Sequence, residues 1–383
     1  MTTIAATTKK RIESIDILRG IVMMIMALDH ARDFFTHNSY DPTDLTKAST
    51  GLFLTRFITH FCAPTFVFLA GTGAFLSLNR GKTKGEASVF LLTRGLWLVL
   101  LELTVVGIGW SFDPGIHFLF VQVIWALGIS MVVLSLLIYL PVPAIAAVGL
   151  VMIFGHNLLD SIKPENFEGG KAAWHFIHVM GMADLSKDYH VFVLYPLIPW
   201  IGVMAVGYSF GKLFKLEPDK RQKLFYTIGA STLALFVIVR AYNHYGDPNQ
   251  WTDQGVWYRT ILSFVNVQKY PPSLDYLLIT LGTSITMLGV LEHVQNRFTN
   301  IALVFGRVPL FYYILHLYLL HTMGVIAYIV VKNHAPNSAI MQNGAPLYFV
   351  YMMWALALFI LYFPCRWYMK YKMTHKQWWL SYL

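Results

Sequence analysis

The sequence predicts an all-α, polytopic membrane protein, a helical bundle of about ten transmembrane helices. Of its 383 residues, 56% are hydrophobic and 13% are charged, and the mean hydropathy is +0.53. Soluble globular proteins carry about 25% charged residues, so this composition excludes a soluble domain, a disordered chain and a disulfide scaffold. The apolar residues also fall in runs of the length that crosses the hydrocarbon core, about 20 residues.

Ten such runs follow one another along one predicted domain that covers residues 1–383. Charged residues, glycine or proline separate several of them, and these residues interrupt an apolar helix. Gly306 and Pro309 are expected to divide the stretch from Ile301 to Val331, which is too long for one straight span, into an interfacial turn and a helix. The predicted spans are 15–36, 52–78, 87–109, 118–139, 142–160, 191–214, 224–243, 274–292, 307–331 and 346–369.

The distribution of charge predicts the orientation. The net charge of +9 arises from 29 basic and 20 acidic residues. The basic residues lie in short clusters between spans, which is typical of cytoplasmic membrane loops and not of a nucleic-acid-binding surface. With the N-terminus inside, the inner segments hold 16 Lys and Arg and the longer outer loops hold 7. We therefore expect a multi-pass protein of the plasma or inner membrane, with both termini cytoplasmic and no nucleic-acid partner.

Ionisable residues inside spans are costly and are therefore candidates for function. In the first span, Asp29 and His30 follow an eight-residue apolar run. Arg56 and His60 lie four residues apart in the outer half of the second span and so share a helix face. The alternative interpretation is an interfacial cluster whose charged ends reach water. The residues expected to converge on one outer pocket are Asp29, His30, Arg32, His37, Arg56 and His60.

Other polar residues have structural interpretations. Asp16 and Arg19 are three apart on the first helix and are expected to pair near the cytoplasmic face. His316 and His321 lie five residues apart within a span, so at least one is expected to serve helix packing. The sequence contains no metal-ligand spacing, phosphate-binding glycine motif or nucleophile elbow.

Two segments of the first span carry a resemblance to a known family. Residues 11–20 (RIESIDILRG) and 26–35 (MALDHARDFF) resemble the start of the heparan-alpha-glucosaminide N-acetyltransferase-like family of transmembrane acyltransferases. The second span, 59–71 (THFCAPTFVFLAG), is similar to an apolar segment of that family with a proline before Phe-Val-Phe, and 305–316 is similar to its penultimate helix. The chain thus resembles a bacterial-type member over nearly its whole length.

The resemblance implies a membrane acetyltransferase that moves an acetyl group from cytosolic acetyl-CoA to an amine or hydroxyl of a sugar-like, glucosamine-type acceptor at the outer face. It places the catalytic histidine just after the first span, where the stretch 37–45 (HNSYDPTDL) makes His37 the candidate. A polar residue of the family falls at Asp29 or His30, and His30 competes with His37 for the catalytic role. An acetyl-histidine intermediate and direct transfer are both compatible with this pattern.

The expected site has three parts, with acetyl-CoA as co-substrate and no metal. The catalytic candidates are His37, His30 and Asp29; the substrate-binding candidates are Arg32, Arg56, His60 and His316; and the candidates for the CoA phosphates are Arg19, Arg80, Arg94 and Arg307. The expected partners are acetyl-CoA, the acceptor and the lipid bilayer, and a homodimer stays open. The rival hypotheses are a secondary transporter that uses intramembrane His, Asp and Glu, and a sensory or structural protein without turnover.

Overall fold

The computed structural model describes residues 12–36, 40–78, 81, 83–113, 118–167, 169–186, 189–335, 340 and 344–382. Within these ranges the chain is mostly helical, and its three strands have four residues each. Eight of the described helices are long and apolar enough to cross a membrane. The predicted class, an all-α polytopic membrane protein, is confirmed.

The described residues form thirteen helices, and each of the ten predicted spans contains one of the longer ones. Eight of those ten are the apolar helices above; the other two are α1, which carries charged residues at both ends, and α4, which has 15 residues. The helices are α1 Glu13–Phe35, α2 Thr50–Leu78, α3 Lys84–Ser111, α4 Val123–Leu137, α5 Val142–Leu159, α6 Lys171–Ile177, α7 Leu197–Lys215, α8 Pro218–Tyr242, α9 Trp257–Val265, α10 Leu274–Leu291, α11 Arg297–Arg307, α12 Pro309–His334 and α13 Leu347–Thr374.

Two predicted spans begin too early. Residues 118–121 and 191–193 belong to strands, and the helices that follow begin at Val123 and Leu197. A short apolar run has no periodicity that separates a buried strand from a helix end, so the sequence pattern alone placed both in helices. The strands are β1 Phe118–Val121, β2 Gly181–Asp184 and β3 His190–Val193, with β3 central, parallel to β1 and antiparallel to β2.

α1 is buried over most of its length and contacts α2, α10, α11, α12 and α13. Gly20 of α1 lies against the backbone of α11. There is no room for a side chain at this position, since a Cβ on Gly20 would lie 1.8 Å from the carbonyl oxygen of Ala302. A similar approach joins α2 to α7, where a Cβ on Gly71 would lie 2.2 Å from the carbonyl oxygen of Met204. These small residues let the helices pack closely and fix the position of α1.

Two local predictions concern the end of the bundle where α1 begins, and the first is confirmed in part and the second in full. The long apolar stretch is divided near residue 308, since α11 ends at Arg307 and α12 begins at Pro309, but the first part is an 11-residue helix and not the predicted turn. Arg19 Nη1 lies 3.2 Å from Asp16 Oδ1, and the same nitrogen donates to the carbonyl oxygen of Gly306 at 3.3 Å. The arginine therefore ties α1 to the end of α11. The single domain and the cytoplasmic location of both termini stay predictions.

Candidate functional site

Two cavities enter the bundle on either side of the middle of α1. The first, of about 350 Å³, lies beside the C-terminal half of α1 and is called the outer cavity after the predicted topology. The second, of about 310 Å³, lies beside the N-terminal half and is called the inner cavity. Hydrogen-bonding and charged side chains concentrate in the outer one. They are Asp29, His30, Arg32, Asp33, Arg56, Thr59, Gln122, Tyr195, Lys269 and Tyr270.

The carboxylate of Asp29 is the centre of the outer cavity. Arg56 Nη1 donates to Oδ1 at 2.9 Å and to Oδ2 at 2.7 Å, and the hydroxyl of Thr59 donates to Oδ1 at 2.9 Å. Lys269 Nζ donates to Oδ2 at 3.3 Å, and Arg32 Nη1 lies 2.6 Å from Oδ1. One buried carboxylate thus holds three cations from three separate segments of the chain, and a buried charge needs such partners.

Charge in the outer cavity does not balance. Arg32 also donates to Asp33 at 2.6 Å, so two carboxylates face the three cations Arg32, Arg56 and Lys269. With a neutral His30, this leaves one net positive charge. Preorganised cations in a site with little water stabilise negative charge that develops on a reacting oxygen. The outer cavity is therefore suited to chemistry that passes through an oxyanion.

Two phenols of the outer cavity, Tyr195 and Tyr270, pack edge to face with their ring centroids 5.3 Å apart. The Tyr270 ring lies under both neighbouring cations, 5.2 Å from Lys269 Nζ and 5.8 Å from the guanidinium carbon of Arg56. Burial alone would raise the pKa of Tyr270, but Lys269 and Arg56 lower it below its usual value. Burial, with Tyr270 as neighbour, raises the pKa of Tyr195 well above its usual value. Tyr195 therefore stays a proton donor, while Tyr270 ionises more readily.

His30 is held by a second histidine. Its Nδ1 lies 2.8 Å from His316 Nε2, and the two rings are 12° from parallel. His316 Nδ1 lies 3.0 Å from the carbonyl oxygen of Tyr312, which can only accept, so the proton of His316 is assigned to Nδ1. His316 Nε2 then accepts the proton that His30 carries on Nδ1. This leaves a lone pair on Nε2 of His30, a ring that lines the outer cavity and packs edge-on against Trp110.

The structure brings together four of the predicted pocket residues, Asp29, His30, Arg32 and Arg56. His316 lines neither cavity, because it lies behind His30. His60 is also outside both cavities. It is buried with its ring centroid 5.5 Å from that of Tyr276, whose hydroxyl donates to the His60 carbonyl oxygen at 2.8 Å. His37 lies outside the described residues.

The inner cavity is lined by four cationic side chains and otherwise by mostly apolar ones. Three of the residues predicted to bind the CoA phosphates, Arg19, Arg94 and Arg307, line this cavity together with Lys372 of α13, and the fourth, Arg80, lies outside the described residues. The rest of the wall is mostly apolar. It comprises Met23, Met26, Phe66, Leu69, Ala70, Leu98, Val123, Ile124, Leu127, Met131 and Leu310 among others. Such a cavity fits a ligand with an anionic end and a slender, less polar arm.

Sequence reasoning missed Lys269 and Tyr270. One signal was present, because Lys269 stands in a predicted outer loop immediately before a span, where lysine is depleted in membrane proteins. Tyr270 gave none, since it is one of 21 tyrosines in the chain. Among the described residues, no group of three or more His, Cys, Asp or Glu is placed to hold a metal ion.

Comparison with known proteins gives one family. The model of a family described as heparan-alpha-glucosaminide N-acetyltransferase, catalytic, matches residues 11–241. That range is more than half of the chain and contains Asp29, His30, Arg56 and Arg94, while Lys269 lies beyond it. No curated protein matches the chain as a relative.

Proposed function

The chain belongs to the heparan-alpha-glucosaminide N-acetyltransferase family, and we propose that it transfers an acetyl group from acetyl-CoA to an amine or hydroxyl of a sugar-like acceptor. The acceptor, of glucosamine type, binds in the outer cavity, and acetyl-CoA binds in the inner cavity from the cytoplasmic side. This is a finer statement than the family match, which supports a membrane acetyltransferase. The protein is then a plasma or inner membrane enzyme with both termini cytoplasmic.

The observation that carries the proposal is that the two cavities meet beside His30. Met26, Phe66 and Val123 line both cavities, so the two cavities adjoin at these apolar side chains. Met26 is four residues before His30 on α1, which puts the two side chains on one helix face, one turn apart. A thioester that lies against Met26 in the inner cavity is therefore next to His30 of the outer cavity.

Each step of the transfer then has a group of this chain to perform it. His30 Nε2 takes the proton of the acceptor amine or hydroxyl, and that acceptor atom bonds to the thioester carbonyl carbon. The carbonyl oxygen becomes negative and is stabilised by Arg56 and Lys269. The carbon–sulfur bond then breaks, and the sulfur takes the proton that His30 removed from the acceptor, so that CoA leaves as a thiol and His30 is neutral again. In the variant with an acetyl-histidine intermediate, His30 itself is the nucleophile, and ping-pong kinetics would identify it.

The test is an assay of purified protein in lipid nanodiscs with acetyl-CoA and glucosamine. We expect release of CoA thiol and formation of N-acetylglucosamine in equal amounts, and thermal stabilisation of the protein by acetyl-CoA. Flux of a solute through proteoliposomes without acetyl-CoA, together with no acetyl transfer and no stabilisation, would overturn the proposal in favour of a transporter.

The inner cations give a second prediction. Changing Arg94 and Lys372 together to Gln should raise the Kd for acetyl-CoA at least about tenfold, because each charged hydrogen bond to a phosphate contributes about 1.5–3 kcal/mol. Both residues line the inner cavity. The matched control changes Lys370 and Lys376 to Gln, which removes the same charge from exposed positions near the same end of the bundle. Equal Kd values for the two double variants would contradict a CoA site there.

A further inference from the structure

Three apolar side chains form a septum between the two cavities. Met26 of α1, Phe66 of α2 and Val123 at the start of α4 line both the inner and the outer cavity. Met26 is buried, with 6% of its surface exposed, and the other two are half-buried. No other residue lines both of these cavities. The two cavities therefore adjoin at these three side chains, and a group that reaches from one cavity to the other comes into contact with them.

The position of the septum fixes what it touches during transfer. The reacting carbonyl carbon has to lie about 3–3.5 Å from the atom that attacks it, beside His30. Cβ atoms four residues apart on a helix are about 5–6 Å apart, so Met26 lies within contact distance of a group bound at His30. The carbon next to the carbonyl, and any substituent on it, then lies against the septum.

We infer that Met26, Phe66 and Val123 select the acyl group by its width at the carbon next to the carbonyl. This inference rests on the proposed function and goes beyond it, since it assigns donor specificity to three residues outside the acid–base chemistry. An acetyl group presents only a methyl to the septum. An isobutyryl group adds two methyls at the same carbon, and these collide with the septum side chains. The transfer reaction itself is unchanged, with the same bonds made and broken.

The expected preference for acetyl over isobutyryl follows from the way apolar pockets discriminate by size. One additional methylene against a close-fitting apolar wall changes kcat/KM by about 10–200-fold. Methionine is flexible, so the septum should discriminate strongly without being absolute. We expect the wild-type protein to use acetyl-CoA at least about 100-fold better than isobutyryl-CoA with glucosamine as acceptor.

The experiment compares kcat/KM for these two donors in septum variants. Met26→Ala should raise the isobutyryl-to-acetyl ratio at least about tenfold, because it removes the wall that the added methyls meet. The milder Val123→Ala should raise it in the same direction, and it serves if Met26→Ala fails to fold. The matched control is Met24→Ala, which removes the same buried side chain from the same helix at a position that lines neither cavity. The control should leave the ratio unchanged.

The outcomes distinguish a failure of the septum from a failure of the proposed function. Active Met26→Ala and Val123→Ala proteins with wild-type ratios would overturn the role of the septum and leave the proposed function standing. A ratio that rises equally in Met24→Ala would also overturn it, because the change would then reflect general loosening of α1. Wild-type protein that transfers neither acyl group would overturn the proposed function and this inference with it.

Discussion

Replacing His30 by Ala or Gln is expected to lower kcat for acetyl transfer by about 10²–10⁴-fold, which is the usual contribution of a positioned general base. The reason is that His30 Nε2 carries the lone pair that the hydrogen-bond chain through His316 directs to the outer cavity. The KM for acetyl-CoA should change little, because the donor binds in the inner cavity. Single-turnover acetylation of glucosamine is the measurement.

The control for this prediction is His321→Ala. His321 lies in the same half of α12 as His316 but contacts the carbonyl oxygen of Gly109 and lines neither the inner nor the outer cavity. Its loss should leave transfer near the wild-type rate. His37→Ala belongs in the same set, since the sequence left His30 and His37 as competing candidates. Full activity in His30→Ala with complete loss in His37→Ala would transfer the catalytic role to His37.

His316 offers a test of the tautomer assignment. We propose it as a positioning residue, because it accepts the proton of His30 Nδ1 and does not line the outer cavity. His316→Phe removes that acceptor and should lower kcat while leaving KM for both substrates unchanged. His316→Gln restores an oxygen acceptor and should recover part of the rate, which a purely steric role for the ring would not produce. Equal rates for the two variants would contradict the assignment.

Replacing Asp29 by Asn is expected to destabilise the protein by about 3–5 kcal/mol, the cost of removing one partner from a buried ion pair. The substitution keeps the size of the side chain but leaves Arg32, Arg56 and Lys269 with Asp33 as their counter-charge in the outer cavity. The Asp29 side chain is 11% exposed, so water cannot compensate fully. The free energy of unfolding in detergent is the measurement, and acetyl transfer should fall with it.

Asp33→Asn is the matched control. Asp33 binds only one of these cations, Arg32, and its side chain is 41% exposed. Exposed ion pairs contribute about 0–1 kcal/mol, so the same chemical change should cost far less here. A destabilisation by Asp33→Asn as large as that by Asp29→Asn would show that total charge in the cavity matters and that the central position of Asp29 does not.

Glu102 shows why the sequence alone could not identify which buried acids belong to the site. It is the isolated acid of the third predicted span, and an acid in such a place is by default a candidate for function. The structure gives it a different partner, since its Oε1 accepts from the backbone N–H of Gln122 at 2.7 Å where α4 begins. It therefore serves as a cap for another helix. Asp29 and Glu102 are both acids within apolar helices, but they have different roles because their partners come from other segments of the chain.

The sequence by itself determined the membrane class, the approximate spans, the polar face of α1 and the family. These follow from properties carried within 10–30 consecutive residues, namely hydropathy, helical spacing and motif order. Only the tertiary structure decided that His30 faces His316, 286 positions away, that Lys269 reaches Asp29, and that two cavities meet at Met26. Those contacts depend on how the helices cross. Small residues such as Gly20 allow the helices to approach closely, but no local sequence pattern shows which helices they will bring together.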